Sequence, residues 1–405
     1  MHFLPILSTL RRHRTAATLL VLEIALTCAI VCNAIFLIGE RLSRMGRDSG
    51  VAEDEIVRIQ LAGIGKGADA TSITAQDIAA LRALPGVKSV ANANMVPFGQ
   101  SSWNTDISNK PEDHNSPINA GMYMGHPDLL KTLGARLIAG RDFLPDEYVT
   151  YEAVNSNKAK MPSIIITKGI ADVLYPQGAL GKPVYAWGKE PLAVVGVVER
   201  LARPNDNGVP SQRDFAMMFP VTTPYNMGGN YLLRVDPSRK TEVLAAAEAA
   251  LNKVDPARIV LKRQTFDELR KNYFNKDRSM AYLLAGTCIA LLIITALGIV
   301  GLASFWVQQR TRQIGIRRAL GATRGDILRY FQTENLILAT IGIVVGMGLA
   351  YGINLWLMDK YQVPRLPSSF LPIGALLLWV LGQIAVLGPA LRASLIPPAI
   401  ATRTV

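Results

Sequence analysis

The chain has 405 residues, of which half are hydrophobic, and carries a formal charge of +12 with only three cysteines. That length suits two or three domains, and a pI near 9.7 would ordinarily raise nucleic-acid binding. The charge is too localised for that reading. Residues 40–278 hold 30 Lys+Arg against 27 Asp+Glu, and most of the remaining excess sits in three short basic patches beside long apolar windows. Such clustering is the positive-inside bias of a membrane protein.

Residues 1–14 contain Arg11, Arg12 and Arg14 and read as a cytoplasmic N-terminus. Residues 15–39 are apolar apart from Glu23, and this run is longer than the roughly 7–15 residues of a secretory signal core. It is therefore expected to be an uncleaved first span. Glu23 lies about two turns inside it, where a charge is costly. Two readings stay open for it: pairing with a basic group on a neighbour, or a neutral carboxyl near the interface. Cys28, Cys32 and Cys288 all fall in expected spans and read as small apolar side chains. The outer segment must then fold without disulfides. The four histidines show no ligand spacing, so no metal site is expected.

Residues 40–280 form the large extracytoplasmic segment. Strand-like runs recur at 55–61, 163–167, 192–198, 230–235 and 257–261. Helical patterns cover 74–84, with Thr74 as N-cap and Asp77 three residues on, and 239–254. The alternation predicts an α+β domain with split βαβ units. Residues 99–120 and 201–229, rich in Asn, Pro, Ser and Gly, read as long loops. Residues 264–280 read as a stalk helix leading into the second span, and 40–49 as its counterpart after the first. The acids Glu53, Asp54 and Glu55 read as a solvated strand edge. A glycine-rich stretch at 63–67 lacks the spacing of a phosphate loop, and no nucleophile elbow or zinc helix is present, so no catalytic residue is expected.

Residues 281–306 and 335–358 are uncharged and long enough to span. Between them, residues 307–334 carry six arginines, at 310, 312, 317, 318, 324 and 329, against Asp326 and a terminal Glu334. Arginine between two spans marks the cytoplasmic side. Within this loop, residues 313–320 predict two helical turns, Gly321 a stop, and Thr323 with Asp326 the cap of a helix entering the third span. Ile314, Ile316, Ala319 and Leu320 then make a small apolar surface among arginines. Such a surface suits lipid headgroups or an acidic or grooved cytoplasmic partner; the small Gly315 and Gly321 favour the partner. The third span carries two small-xxx-small pairs, Gly342 with Gly346 and Gly348 with Gly352, which point to close helix packing on two different sides. Residues 359–368 form a short outer loop, 369–391 a fourth span, and 392–405 a cytoplasmic tail, so both termini share one side.

The run Arg312, Gln313, Ile314, Gly315, Ile316, Arg317, Arg318, Ala319, Leu320, Gly321, Ala322 and Thr323, followed by Asp326, Ile327 and Leu328, resembles the signature of MacB/FtsX-type ABC transporter permeases. The family usually has Glu where this chain has Gln313. In the outer segment, Leu84 to Val87, Ala139 to Phe143, Leu180 to Lys182 and Val194 to Val198 resemble the MacB-type periplasmic core, and Pro389 with Ala390 and Pro397 to Ala399 resemble the family's ending. The resemblance implies four spans with the outer α+β domain between the first two, in a bacterial inner membrane. It implies a dimer of permeases, from two copies or a related second chain, bound to a cytoplasmic ABC ATPase dimer that holds ATP and Mg. Residues Gln313 to Thr323 would be the coupling surface. Motion would pass by mechanotransmission to the outer domain, driving export of a peptide, antibiotic or lipoprotein. No room is seen for a fused ATPase, so the motor is expected on a separate chain. A periplasmic adaptor is implied by resemblance alone. The residues themselves leave a membrane-anchored sensor or scaffold as the alternative.

Overall fold

The computed structural model describes residues 14–63, 69–111, 118–204, 212–361 and 365–397. The glycine-rich stretch lies almost wholly outside them, as do Arg11, Arg12 and the end of the C-terminal tail. Two compact units emerge: residues 47–275, and a membrane unit formed by the chain before and after them.

Helix α1 (Arg14–Met45) opens the membrane unit. The outer unit then begins with β1 (Ile56–Gly63), α2 (Ala70–Arg82) and β2 (Val87–Ala93). An inserted lobe follows, with β3 (Asn104–Ser108), β4 (Ile118–Tyr123), α3 (Leu129–Leu133), β5 (Leu137–Gly140), β6 (Val149–Thr150), α4 (Tyr151–Asn155), β7 (Ser163–Thr167), α5 (Lys168–Leu174), β8 (Pro183–Ala186), β9 (Pro191–Val198), β10 (Ala216–Met218) and β11 (Val221–Thr222). The chain returns through β12 (Asn230–Val235), α6 (Lys240–Val254), β13 (Arg258–Thr265) and α7 (Phe266–Tyr273).

The first lobe is a four-stranded antiparallel sheet in the order β13-β1-β12-β2. The units β1-α2-β2 and β12-α6-β13 interleave, since β12 inserts between β1 and β2. This is the split βαβ arrangement the sequence predicts. Val57, Ile59, Leu81, Tyr231, Leu233 and Val243 fill its core. The inserted lobe is a mixed sheet in the order β5-β9-β7-β10-β4-β3-β8, with β8 also pairing back onto β9, so the sheet closes on itself. Its core is built on Ile164, Ile166, Val194, Met217 and Met122. Gly140 sits at φ +78°, where a Cβ would strike the Val195 carbonyl, so this motif position admits only glycine.

Several local expectations are corrected. α2 starts at Ala70 with Asp69 as its cap. Thr74 is inside the helix and buried, its hydroxyl donating to the Ala70 carbonyl and accepting the Tyr225 amide. The expected loops at 99–120 and 201–229 contain β3, the start of β4, β10 and β11. Glu53 accepts from Arg270 and Ser49, and Glu55 from Arg234 and Lys88, so these acids are paired and not a free edge. The 264–280 stalk is interrupted: Gln264 and Thr265 finish β13, Thr265 and Glu268 cap α7 reciprocally, and the helix breaks at Phe274.

The two ends of the outer unit are tied together at that break. Phe98 (φ 59°) is fully buried and packs on Phe274 at 5.2 Å between ring centroids. The guanidiniums of Arg47 and Arg270 lie 5.1 and 5.2 Å from the Phe98 ring, and Arg270 also donates to Glu53 and to the Arg47 carbonyl. Cation–π contacts at a desolvated ring are among the stronger of their kind.

Charge also marks the inserted lobe. Arg141 donates to both Glu147 carboxylate oxygens at 2.7 and 3.0 Å. Arg141, aided by the Leu144 amide and opposed by partial burial, pulls the Glu147 carboxyl down from the ordinary 4.5 to about 2. A depressed carboxylate stabilises the fold above its unfolded pKa, and that contribution is lost as pH falls through the folded one. Melting temperature followed from pH 5 down to 2.5 should therefore drop less steeply in Arg141→Ala than in the wild type, because the variant has already lost that contribution.

The membrane unit continues with α8 (Asn275–Gln309), α9 (Thr311–Ala319), α10 (Arg324–Tyr361) and α11 (Phe370–Ser394). α1, α8, α10 and α11 are long and apolar enough to cross a membrane. α1 packs against α10 and α11 through small residues: a Cβ at Gly346 would lie 2.5 Å from Cys28 Cβ, one at Gly342 would lie 2.8 Å from Ile24 Cβ, and one at Gly374 would overlap Cys32 Sγ. Gly348 and Gly352 face open space, so among the described residues only the first glycine pair packs within this chain. Asn33 Nδ2 donates to the Ala350 carbonyl, and the Thr27 and Thr295 hydroxyls meet at 2.8 Å. Glu23 lies against Gly298 of α8, where a Cβ would come within 2.6 Å of its carboxylate. At the other end of α1, Arg41 and Arg44 both donate to buried Asp277 of α8. Gly346→Leu must push Cys28 and Ala25 apart and is expected to cost about 1–3 kcal/mol by overpacking, whereas Gly348→Leu should leave the melting temperature of the purified chain unchanged.

Candidate coupling surface

The loop between the second and third spans is a built structure. α8 ends at Gln309 and α9 begins two residues later. α9 closes with a full glycine stop: Gly321 is at φ +100°, the Ala322 amide donates to the Arg317 carbonyl at 3.0 Å, and the Gly321 amide to the Arg318 carbonyl at 3.2 Å. These bonds satisfy carbonyls that a helix end leaves unpaired. Thr323 then opens α10. Its amide donates to Asp326 Oδ2 at 2.9 Å, and the Asp326 amide returns a bond to the Thr323 hydroxyl at 3.2 Å. This reciprocal cap is the one read from the sequence, and α10 runs from it without a break into the third span.

α9 has two faces. Ile314 and Gly315 turn inward and are buried, Ile314 packing with Val307, Ile327, Phe331, Ala390 and Ala393. Arg318 is also turned to the protein: its Nη1 donates to the Ser394 and Ile396 carbonyls at 2.9 and 3.0 Å, so it closes the end of α11. Arg317 stacks over Tyr330 at 4.9 Å. Arg310, at the joint of α8 and α9, donates to both Glu334 carboxylate oxygens at 3.0 and 2.9 Å and lies over the Trp306 ring. The outward face holds Arg312, Gln313, Ile316, Ala319, Leu320, Gly321 and Thr323, flanked by Arg324. Ile316 is 44% exposed and Leu320 83%.

The expected surface is thus thinned. Ile314, Gly315 and Arg318 hold α9 in place, Ala322 is half-buried, and the outward set is an apolar tip ringed by arginine. Composition alone could not sort the six arginines into those that brace the loop and those that face out. Glu334 was the available signal: it is the other acid of residues 307–334, at the far end, where Arg310 can reach it across the hairpin. Among the described residues no cluster of three or more His, Cys, Asp or Glu is placed to hold a metal ion.

Four spanning helices, a large α+β domain inserted after the first, and a basic helix between the second and third define an ABC-transporter permease. Residues 15–254 match the MacB-like periplasmic core domain and residues 286–398 the FtsX-like permease C-terminal domain. The chain belongs to the MacB/FtsX-type permease family and is membrane-embedded. It is 25% identical over 246 residues to the macrolide export ATP-binding/permease protein MacB of Chromobacterium violaceum, which covers 59% of this chain and 36% of that protein. It is 28% identical over 260 residues to the uncharacterised ABC transporter permease YvrN of Bacillus subtilis, covering 59% of this chain and 61% of that one. The chain therefore spans about a third of the length of its MacB relatives. Among solved structures, the periplasmic region of MacB from Actinobacillus actinomycetemcomitans is 14% identical and covers 56% of this chain and 97% of that one, with a TM-score of 0.32.

Proposed function

We propose that this chain is the membrane subunit of an ABC exporter in a bacterial inner membrane, and that α9 is the helix on which a cytoplasmic ATPase pair acts. ATP and Mg belong to the ATPase; this chain contributes no chemistry. Both termini and residues 307–334 share the cytoplasmic side, in keeping with the arginine clustering. A second permease completes the assembly. Closure of the ATPase pair displaces α9, and its buried face passes the displacement to α10 and α11. Arg310 couples α8 to α10. The outer unit then changes shape and drives extrusion of a peptide, antibiotic or lipoprotein without the substrate crossing the bilayer through the helices.

The observation that carries this reading is the division of α9. An inward face bonded to α10 and α11 transmits force, and an outward apolar tip with Ile316 and Leu320 suits a groove. A headgroup-binding helix needs no such bracing. Co-purification with the cognate ATPase tests it. Leu320→Glu is expected to weaken ATPase association by about tenfold or more, an apolar anchor costing about 1–2 kcal/mol or more when lost. The melting temperature should not move, because Leu320 makes little contact within the chain. Undiminished association and ATP-dependent transport in Leu320→Glu would remove α9 as the docking element.

A further inference from the structure

The outer unit contains a cavity of about 380 Å³ between α2 and the segments around β6 and β11. Its origin lies in one face of α2. Thr71, Thr74, Ala75, Ile78, Ala79 and Arg82 fall at successive helical spacings along this wall. Ile78 is buried beneath it, while Ala75 and Ala79 are too short to reach across. The facing wall is Thr150, Tyr151 and Glu152 with Thr222, Thr223 and Pro224, held in register because Val221 and Thr222 pair with Val149 and Thr150. The volume falls in the range of small-molecule sites, and the place, where two lobes meet, is where such sites concentrate.

The polar groups differ between the walls. At the C-terminal end of α2, Arg82 donates from Nη2 to Asp128 at 2.7 Å. A guanidinium carries five donors, so this bond leaves most of its donor edge available. His126 lines the same end; its Nδ1 accepts the Asp128 amide at 3.1 Å. Burial lowers the His126 pKa, so the ring is neutral near pH 7 and its proton sits on Nε2, the one donor it has left. On the facing wall the charge is the exposed carboxylate of Glu152. Most threonine hydroxyls here already have protein partners: Thr150 accepts the Ala153 amide, Thr222 donates to the Val149 carbonyl, and Thr74 is doubly bonded. The charged groups and His126, above an apolar floor, decide the ligand.

We propose that this cavity binds a small zwitterion with an apolar body, of the apolar α-amino-acid class, its carboxylate read by Arg82 and His126 and its ammonium by Glu152. The side chain lies over Ala75, Ala79 and Pro224. The site is independent of the coupling surface, and its failure would leave the α9 assignment standing.

Calorimetric titration of the purified full chain in detergent with apolar L-amino acids from valine to tryptophan tests it. One of them is expected to bind saturably with one site per chain. For an aromatic binder, 3-phenylpropionate lacks the ammonium and 2-phenylethylamine lacks the carboxylate; each should bind about tenfold or more weakly, the loss of one charged contact. Arg82→Gln and Glu152→Gln should each weaken the amino acid to a similar degree. Arg82→Gln should spare 2-phenylethylamine, and Glu152→Gln should spare 3-phenylpropionate. Ala79→Trp, which fills an open position, should abolish binding while the melting temperature holds. No saturable binding across the series, equal binding of the three aromatic probes, or full binding in a normally melting Ala79→Trp would each overturn the proposal.

Discussion

Replacing Arg310 with alanine is expected to destabilise the membrane unit by about 3–5 kcal/mol, the usual cost of stranding one member of a buried ion pair. Glu334 is 1% exposed and Arg310 7%, and both carboxylate oxygens are bonded to the same guanidinium nitrogen. Removal of Arg310 takes from the buried Glu334 carboxylate the ion-pair partner it has among the described residues. A thermal melt of the purified chain in detergent reads the loss directly. The paired replacement Arg310→Met with Glu334→Leu is expected to recover most of it, since an apolar pair of similar volume is often neutral or better than a buried ion pair. This double variant also separates holding from transmitting. The outward tip at Ile316 and Leu320 is untouched, so ATPase association should be retained. A loss below about 1 kcal/mol in Arg310→Ala, the scale of a solvated surface pair, would show that the joint is hydrated and not a rigid connection between α8 and α10.

The parts of this molecule legible in its sequence are those governed by local pattern. Unbroken uncharged length marks the spans at 281–306 and 335–358, and α8 and α10 contain them whole. Thr323 and Asp326 are three residues apart, so their reciprocal cap follows from spacing. The two glycine pairs of α10 are six residues out of phase, and only Gly342 and Gly346 meet α1. The strands at 163–167 and 230–235 match β7 and β12, because their β-branched and aromatic runs are bounded by turn residues.

What escaped is set by distance. β3, β10 and β11 are two to five residues long and lie in stretches rich in turn formers; they become strands because neighbouring strands supply the hydrogen bonds. Arg318 reads as one more arginine of a basic patch until its partners, carbonyls at the end of α11 some 76 residues on, come into view. Asp77 reads as a residue of a first helical turn; its partners lie 154 and 181 residues away.

Those partners make Asp77→Ala the most damaging single change expected in the outer unit. Asp77 has no exposed surface and accepts from Arg258 Nη1 at 2.5 Å, from Arg258 Nη2 at 2.8 Å and from the Tyr231 hydroxyl at 2.5 Å. Burial and the adjacent carboxylate push the Tyr231 hydroxyl well above its ordinary pKa, so it stays a donor. The guanidinium of Arg258, buried in turn, also donates to the Leu251 carbonyl and lies 5.0 Å from the Tyr225 ring. One carboxylate thereby joins α2 of the first βαβ unit to β12 and β13 of the second. Its removal leaves buried Arg258 with only the more distant Asp255 carboxylate, 3.4 Å from Nε, and takes away the Tyr231 hydroxyl's carboxylate acceptor, for an expected loss of about 3 kcal/mol, the low end for a broken buried pair. Asp77→Asn keeps an acceptor for one donor and should fall between the two. Removing the exposed Arg136–Glu199 pair should change nothing measurable, which sets the scale. Pulse proteolysis of the full chain in urea reads the outer unit through fragments from residues 47–275. If Asp77→Ala and Arg136→Ala release those fragments at the same urea concentration, the buried pair does not hold the two halves together.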